Sequence, residues 1–275
     1  MAVRLAYLGP PGTFSEQAAL TCDLNPDLRP APSITAAARA VAKGAADYAI
    51  VPIENSLEGS VPETLDLLIH ELDLCISREV VLWIQHCLVA PPDIGEDGVR
   101  RVYSHPQALA QCRDFLAREL PQAAPVAAIS TAHAVEAIME RTDAAAVAPR
   151  RAAEIHGAAV LREGVEDDPR NRTRFVVLGH EDAAPTGDDK TSIVLHLADR
   201  PGALARALQC FARASINLTK IESRPAREEL GVYVFLLDFA GHRSDPPVAA
   251  VLDQVRCEST KLKVLGSYPR FQATG

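Results

Sequence analysis

The segment AYLGPPGTFSEQAAL, residues 6–20, joins an apolar run to a helical pattern through the loop Gly9-Pro10-Pro11-Gly12. A strand, a glycine loop and a helix in this order usually offer free backbone N–H groups to an anion. The loop lacks the lysine of a P-loop and the G-x-G-x-x-G spacing of a dinucleotide site, and its prolines remove two donors. The segment therefore predicts an α/β unit that meets an anion smaller than a nucleotide.

The same alternation continues along the first two thirds of the chain. Alternating strands and helices indicate a largely parallel sheet with helices on both faces. Residues 80–90 lie where the chain would pass from one α/β lobe into a second. Strands are predicted at 4–8, 48–53, 74–90 (long or interrupted), 99–103, 125–129, 144–148 and 173–179, and helices at 14–22, 34–43, 61–70, 107–118 and 132–140.

The C-terminal part of the chain has a different pattern. Residues 181–189 (EDAAPTGDD) are polar and acidic and contain both Pro and Gly, which is typical of a linker. Beyond them, strands at 191–197, 217–223, 231–239 and 261–267 alternate with helices at 203–214 and 247–255 in the order βαββαβ. This order is ferredoxin-like. A module of this size behind a linker favours a regulatory or assembly role.

Composition and charge restrict the possible partners. The chain has 275 residues, 48% of them hydrophobic and 23% charged, which is ordinary for a globular protein with a sizeable core. Its net charge is -8 and it has no dense basic cluster, which argues against nucleic acid as a partner. An anionic ligand would have to meet a few placed cations. No apolar run is long enough to predict a membrane span.

The cysteines and histidines predict no metal centre. The six cysteines are scattered without a C-x-x-C pair, and the eight histidines lack zinc-ligand spacing. Reduced thiols and the absence of a signal-peptide pattern before Arg4 predict a cytoplasmic protein. His86 lies in a hydrophobic run and is interpreted as a satisfied core histidine. His105 falls in the first turn of a helix, where a charged imidazolium would oppose the helix dipole.

Three predicted strand–helix junctions share one capping pattern. Residues 13–16 (TFSE), 60–63 (SVPE) and 104–107 (SHPQ) each fit the S/T-x-x-E/Q capping box. Taken singly, each is most simply a good helix cap. Since such junctions lie at the carboxyl ends of strands, their helix N-termini would together form a site for carboxylates or phosphates.

Two further polar motifs flank predicted strands. Glu54-Asn55-Ser56 ends the strand at 48–53, and Asn171-Arg172-Thr173-Arg174-Phe175 begins the strand at 173–179. An arginine can hold a carboxylate in two hydrogen bonds, and a hydroxyl can donate a hydrogen bond to a leaving oxygen. A polar turn and an ordinary strand start with solvated arginines remain plausible alternatives for each motif in isolation.

Taken together, these motifs make the chain resemble the prephenate dehydratases that carry a C-terminal ACT domain. The resemblance rests on Gly9-x-x-Gly12-Thr13-Phe14-Ser15-Glu16-x-Ala18, Pro52-Ile53-Glu54-Asn55-Ser56, Ser104-His105-Pro106-Gln107 with Gln111-Cys112, Asn171-x-Thr173-Arg174-Phe175, Pro201-Gly202-Ala203-Leu204, and Glu222-Ser223-Arg224-Pro225. These motifs span nearly the whole chain in the order of the family. Each is weak alone, and the set is highly specific.

The resemblance implies a lyase that converts prephenate to phenylpyruvate, carbon dioxide and water in phenylalanine biosynthesis, without metal or cofactor. It implies a two-lobed α/β catalytic domain, similar to type 2 periplasmic binding proteins, at residues 1–181. In the hypothesis drawn from it, Thr173 donates a hydrogen bond to the leaving hydroxyl and Arg174 anchors a carboxylate. The other residues carried over are Asn55, Ser104 and Gln111 as catalytic, and Thr13, Ser15, Glu54, Ser56 and Phe175 as substrate-binding.

The resemblance also implies an ACT domain at residues 190–275 that binds L-phenylalanine as an inhibitor, generally across a subunit contact in a homodimer or homotetramer. Ala205 stands where the family usually has Val. Because no chorismate mutase segment precedes Arg4, a monofunctional enzyme is expected. The residues predicted to bind the effector are Gly202, Ala203, Leu204, Ala205, Asn217, Leu218, Glu222, Ser223, Arg224 and Pro225.

Two alternatives remain open from the sequence. An arogenate dehydratase uses the same motifs on a substrate with an amino group in place of the keto oxygen. A non-catalytic amino-acid-binding regulator would also suit two α/β lobes and an ACT module, although a binding protein has no need of an intact Asn171-x-Thr173-Arg174-Phe175. The order in which carbon dioxide and hydroxide leave, and the source of the proton, also stay open.

Overall fold

The computed structural model describes residues 2–22, 24–226 and 233–272. Its first sheet has the strand order β2-β1-β3-β11-β5, with the short β4 paired antiparallel to β3. β1 runs parallel to both β2 and β3. The strands are β1 (Arg4–Leu8), β2 (Asp27–Ala31), β3 (Tyr48–Asn55), β4 (Gly59–Ser60), β5 (Cys75–Trp83) and β11 (Arg172–Gly179), and the helices before β5 are α1 (Phe14–Leu20), α2 (Ile34–Ala42) and α3 (Pro62–Asp66), which a π-helical turn extends over Leu67–Glu71.

The second sheet has the order β10-β6-β9-β7-β8. β7 is parallel to β8 and β9, whereas β6 is antiparallel to β9 and β10, so the sheet is mixed rather than parallel throughout. β9 (AAAVA) is buried at all five positions, because small side chains let helices pack closely on it. The elements are β6 (Cys87–Ala90), β7 (Arg101–Ser104), α4 (Pro106–Gln111), α5 (Arg113–Glu119), β8 (Ala124–Ala127), α6 (Thr131–Ile138), β9 (Ala144–Ala148), α7 (Arg150–His156) and β10 (Ala159–Glu163).

The chain passes between these two sheets twice, from β5 to β6 and from β10 back to β11. The region predicted as one long or interrupted strand at 74–90 is therefore two strands in different sheets. The predicted fold class requires two α/β lobes, and that class is confirmed.

The third sheet has the order β13-β14-β12-β15 with antiparallel pairing throughout. Two helices cover it, and their apolar faces form one core cluster with β12 and β14. The predicted βαββαβ order is confirmed, although residues 231 and 232 of the predicted third strand lie outside the described residues. The elements are β12 (Asp189–His196), α8 (Ala203–Arg213), β13 (Leu218–Pro225), β14 (Tyr233–Ala240), α9 (Pro246–Glu258) and β15 (Lys261–Pro269).

Two compact units divide the chain, and neither is continuous in sequence. Met1–Pro62 and Val80–Phe175 form the first unit, and Glu63–Glu79 and Val176–Gly275 form the second. Within the second unit, Lys190 Nζ contacts both carboxylate oxygens of Glu79 at 2.9 and 2.7 Å. Lys263 Nζ donates to the carbonyls of Leu68 and Leu72 at 2.8 and 2.7 Å. The domain boundaries expected from the sequence, 1–181 and 190–275, stay a prediction.

Helices of the described residues are short. None combines the length and the apolar character that crossing a membrane would require.

Candidate active site

A cavity of about 800 Å³ lies within the first compact unit. The loop after β1, the C-terminal part of β3 and the start of β11 border it, together with the first residues of α1, α4 and α6. Most lining side chains are apolar, and a few hydroxyls, amides and imidazoles interrupt them. Concave, mainly apolar sites with a few convergent polar groups are typical of small-molecule binding.

The glycine loop at residues 9–12, after β1, forms one wall of this cavity. Gly12 has a φ of +89°, and a Cβ there would lie 3.0 Å from Ala152 Cα, so only glycine fits. Thr13 caps α1 by accepting the backbone N–H of Glu16 at 3.3 Å, as the capping box predicts. The Glu16 carboxylate accepts from Gly12 N at 2.8 Å rather than from Thr13 N. Thr13, the N-cap, and Ser15, in the first turn of α1, both line the cavity.

Asn55 connects the motif at the end of β3 with the motif at the start of β11. Asn55 Oδ1 accepts from the backbone N–H groups of Leu57 and Glu58 at 3.0 and 3.1 Å. These two donors settle which side-chain atom is oxygen, a choice that otherwise depends on the hydrogen-bond network. Asn55 Nδ2 therefore donates, to Asn171 Oδ1 at 2.8 Å and to Thr173 Oγ1 at 2.9 Å.

The direction of these bonds orients the Thr173 hydroxyl. Because Thr173 Oγ1 accepts from Asn55, the hydroxyl keeps its own hydrogen for another acceptor. Thr173 lines the cavity, as does Asn55, which is 7% exposed. The arrangement can donate a hydrogen bond from Thr173 to an oxygen atom of a bound molecule.

Gln111, on α4, extends the same network to a helix that borders the cavity. Asn171 Nδ2 donates to Gln111 Oε1 at 3.0 Å, and Gln111 Nε2 donates to Glu58 Oε1 at 3.0 Å. The predicted residues Asn55, Gln111 and Thr173 are thus brought together by direct hydrogen bonds and by the intervening Asn171.

His86 also lines the cavity and joins this network. Its Nε2 lies 3.2 Å from Gln111 Oε1, and its ring meets Phe14 edge-to-face at 5.3 Å between centroids. Burial lowers the pKa of His86, against the opposing effects of Gln111 and Glu166, so the imidazole is neutral near pH 7. Its Nδ1 is buried and has no hydrogen-bond partner in the part of the chain that the structure describes. The sequence interpretation of a satisfied core histidine is therefore wrong.

The N-cap of α4 is His105 rather than Ser104, which the capping pattern predicts. The Ser104 hydroxyl is fully buried and donates to Val147 O at 2.6 Å, so it neither caps α4 nor lines the cavity. His105 is the N-cap instead, and its Nδ1 accepts from Gln107 N at 3.3 Å. His105 Nδ1 thus meets the helix N-terminus as an acceptor, an arrangement that the helix dipole favours. The strand β7 extends one residue further than predicted and takes Ser104 into the sheet.

The remaining predicted residues divide between the cavity and its surroundings. Phe175 lines the cavity and is 2% exposed. Arg174 Nη1 lies 3.5 Å from Glu54 Oε2, and neither side chain lines the cavity. Ser56 Oγ accepts from Arg172 N at 2.9 Å and holds the two strands together. The Arg172 guanidinium stacks on Trp83 at 3.7 Å from the ring centroid.

The cavity lining, which falls in the described ranges, contains neither lysine nor arginine. This cavity therefore does not have the cationic side chains that were expected to meet an anionic ligand. Hydroxyls of Ser130 and Thr131, at the start of α6, face it together with the prolines of β2 and the loop after it. Sequence reasoning missed these residues, although Ser130 is a plain N-cap signal, accepting from His133 N at 3.0 Å.

No group of three or more His, Cys, Asp or Glu side chains among the described residues could hold a metal ion. All six cysteines are free thiols.

The residues predicted to bind the effector lie in two places in the second compact unit. Ala203 and Leu204 line a small cavity of about 130 Å³ beside the turn into α8, with Asp199 and Arg200. Gly202 caps α8 with a φ of +81°, and Ala205 is exposed on α8 outside this cavity. The second set, Asn217, Leu218, Glu222, Ser223, Arg224 and Pro225, precedes or lies on the edge strand β13 and does not line the small cavity.

Comparisons with known proteins cover both parts of the chain. The family model for prephenate dehydratase matches residues 5–183, and the model for the ACT domain matches residues 191–257. The prephenate dehydratase of Mycobacterium tuberculosis is 42% identical over 285 residues, covering 99% of this chain and 89% of that protein.

Solved structures agree with the fold over nearly the whole chain. Prephenate dehydratase from Arthrobacter aurescens in complex with L-Phe has a TM-score of 0.90 at 37% identity, covering 98% of this chain and 90% of that one. A protein described as GqqA, a novel type of quorum quenching acylase, has a TM-score of 0.88 at 33% identity, covering 97% of this chain and 98% of that one.

Proposed function

Because the chain belongs to the prephenate dehydratase family, we propose that it converts prephenate into phenylpyruvate, carbon dioxide and water, and that L-phenylalanine regulates it. The observation that carries the proposal is the oriented hydroxyl of Thr173. Asn55 donates to it, so its hydrogen is available to an acceptor in a cavity large enough for a substituted ring.

The chemistry matches this geometry. In prephenate, breaking the bond between the ring and its carboxylate releases carbon dioxide, and the electron pair moves through the ring to expel the hydroxyl on the far side. Charge develops on the leaving oxygen, so a hydrogen bond to that oxygen is stronger in the transition state than in the bound substrate. Thr173 supplies this bond. Since a threonine is too weak an acid to give up a proton unaided, the proton reaches the leaving hydroxide from solvent.

Substrate carboxylates meet dipoles and hydroxyls in this proposal. The first turns of α1 and α6 border the cavity with Thr13, Ser15, Ser130 and Thr131. Helix N-termini favour negative charge through their unpaired N–H groups and the helix dipole. Arg174, next to Thr173 on β11, is the cation predicted to anchor a carboxylate, and it would have to leave Glu54 to do so.

Regulation is proposed for the third sheet. The related Arthrobacter protein was solved with L-Phe. In this chain, Asp199 and Arg200 beside the small cavity provide charges complementary to an amino acid. Ser223 and Pro225 of the second predicted set pair with Phe235 and Tyr233, which line the small cavity. Binding across a contact between copies in a homodimer or homotetramer is part of the proposal. A cytoplasmic location remains a prediction.

An acylase activity, as described for GqqA, is a weaker alternative. Acyl transfer needs a nucleophile activated by an adjacent base. The hydrogen bonds described for the two imidazoles of the cavity join His86 to Gln111 and His105 to Gln107 N. Neither joins a serine or threonine hydroxyl.

The decisive experiment incubates the purified chain with prephenate and, in parallel, with arogenate, and measures phenylpyruvate and phenylalanine. We expect phenylpyruvate from prephenate. Turnover of arogenate to phenylalanine without turnover of prephenate would identify an arogenate dehydratase. Turnover of neither substrate would refute the dehydratase assignment. An acylase assay on the same preparation tests the remaining alternative.

A further inference from the structure

The unpaired nitrogen of His86 has a defined chemical state. Gln111 Oε1, which already accepts from Asn171 Nδ2 at 3.0 Å, faces His86 Nε2 at 3.2 Å. Because an amide oxygen only accepts, Nε2 must carry the proton in the neutral ring. Turning the ring over would place a carbon against Gln111, so the assignment follows from the network. Nδ1 is therefore an unprotonated acceptor.

This acceptor is buried, and the residue that carries it, His86, lines the cavity. His86 is 2% exposed, and its backbone N–H donates to Glu166 Oε2 at 2.8 Å, which fixes the residue from behind. A buried polar atom without a partner is costly, because it has lost its bonds to water. Such an atom at a ligand cavity indicates a donor on the ligand.

Prephenate carries a single suitable donor. Near neutral pH both of its carboxylates are ionised, and its keto oxygen only accepts, so the ring hydroxyl is its one O–H group. That hydroxyl can accept from one group while donating to another. Thr173 has a hydrogen to donate, and His86 Nδ1 has a lone pair to offer.

We propose that His86 Nδ1 accepts a hydrogen bond from the hydroxyl of the substrate, so that this hydroxyl is held between His86 and Thr173. The inference rests on the proposed function and adds a catalytic residue to it. The two contacts do different work. The bond from Thr173 strengthens as the leaving oxygen gains charge, whereas the bond to His86 is no stronger in the transition state than in the bound substrate. Loss of the His86 contact therefore raises KM, and loss of the Thr173 contact lowers kcat.

Two substitutions separate this role from support of Gln111. Asparagine reaches about as far as Nδ1 of histidine, and glutamine reaches about as far as Nε2. In His86→Gln the donor to Gln111 is kept and the acceptor in the cavity is lost, so KM should rise about 10-fold with kcat within about threefold of wild type. In His86→Asn the acceptor is kept and the support of Gln111 is lost, so kcat should fall while KM stays near its wild-type value.

A merely structural His86 gives the opposite result. His86→Gln would then resemble wild type, and His86→Asn would be the more damaged variant in both constants. That pattern, or equal effects of the two substitutions, overturns the proposal while turnover by the wild type leaves the dehydratase function in place. Absence of turnover by the wild type would instead refute the function itself.

A measurement on the unmodified protein does not depend on the folding of variants. In protein labelled with ¹⁵N-histidine, the His86 ring should show the Nε2–H tautomer. Saturating 3-(4-hydroxyphenyl)propionate should shift the Nδ1 resonance, whereas 3-phenylpropionate, which lacks the hydroxyl, should not. A protonated Nδ1 in the free protein, or an Nδ1 resonance that both saturating probes leave unmoved or move equally, overturns the proposal.

Discussion

The hydroxyl of Thr173 is oriented by the turn after β3. The N–H groups of Leu57 and Glu58 hold the oxygen of Asn55, which turns its amide nitrogen towards Thr173. A local hydrogen bond in one motif thus decides the donor direction of a residue that is 118 positions away in sequence. Preorganisation of this kind lets a weak donor stabilise developing charge without moving first.

Replacing Thr173 by valine removes the hydroxyl and keeps the branched shape of the side chain. We expect kcat to fall by about 10²-fold or more, which is typical of losing assistance at a leaving group. Thr173→Ser is the matched control and should retain most of kcat, because it keeps the hydroxyl. Steady-state kinetics with prephenate measure both, and a folded valine variant with nearly normal kcat would remove Thr173 from the chemistry.

Asn55→Asp replaces the donating amide nitrogen by an oxygen of the same size. The carboxylate would accept the Thr173 hydrogen and draw it away from the substrate, so kcat should fall about 10- to 100-fold. Because the site is buried, the pKa of the introduced carboxyl group should be raised. Below that pKa the acid can donate again, so the activity of the variant relative to wild type should recover as pH falls. A constant ratio between pH 5 and 8 would contradict the orienting role.

The sequence predicts the polar centre of the site better than its periphery. Asn55, Gln111 and Thr173 are identified from motifs and meet in one network. Ser104 is misplaced because a serine before a helix resembles a cap whether it caps or bonds within a sheet. His86 is missed because burial in an apolar run looks the same for a core histidine and for one that lines a cavity.

At the scale of elements, the sequence predicts the strongly periodic helices and strands but misses the edge strands β2 and β10. β2 (DLRPA) carries charges and a proline, since it is an edge strand that pairs only with β1. β10 is likewise an edge strand. The helix predicted at 107–118 is two helices, α4 and α5, that meet at Cys112. The helix predicted at 61–70 changes to a π-helical turn after Asp66. Tertiary packing decides where such helices break, and the local sequence pattern carries no information about that packing.

Gly266 in β15 lies against the backbone of β5. It has a φ of +148°, and an added Cβ would lie 2.7 Å from Ile76 N and closer still to Ile76 O. Gly266→Ala should therefore destabilise the second unit by about 3 kcal/mol or more, because backbone cannot move aside as a side chain can.

Thermal unfolding followed by circular dichroism should show this loss as a Tm lower by about 6–12 °C. Gly95→Ala is the control, since no atom lies within 4 Å of an added Cβ there. Equal Tm values for the two variants would show that β15 does not approach β5 in solution as closely as described.

At the scale of the whole molecule, the compact units affect how regulation can be tested. Removing everything after Asp182 would take away Lys190, which pairs with Glu79, and Lys263, which caps the turn at Leu68 and Leu72. Residues 63–79 would then lose the rest of their unit. Point substitutions in the full-length chain are therefore the better test of effector binding.

Gly202→Ala is such a substitution. A Cβ at a φ of +81° is strained, and it would lie 3.1 Å from Arg206 Nη1 at the turn beside the small cavity. We expect the phenylalanine concentration for half-inhibition to rise about 10-fold, with kcat in the absence of phenylalanine unchanged. Gln209→Ala, exposed on the same helix, should leave inhibition as in wild type. Normal inhibition of Gly202→Ala would place the effector elsewhere.

A cavity without lysine or arginine in a chain of net charge -8 gives the approach of substrate an unusual dependence on salt. Long-range repulsion slows the encounter with a doubly charged anion, and dissolved ions shorten its range. From about 0.02 to 0.2 M NaCl, we expect kcat/KM for prephenate to rise about twofold while kcat stays constant. A fall in kcat/KM would show that attraction, rather than repulsion, governs the encounter. The stability of the bound state then depends on short-range contacts, whereas the ionic strength of the solution sets the rate at which substrate reaches the cavity.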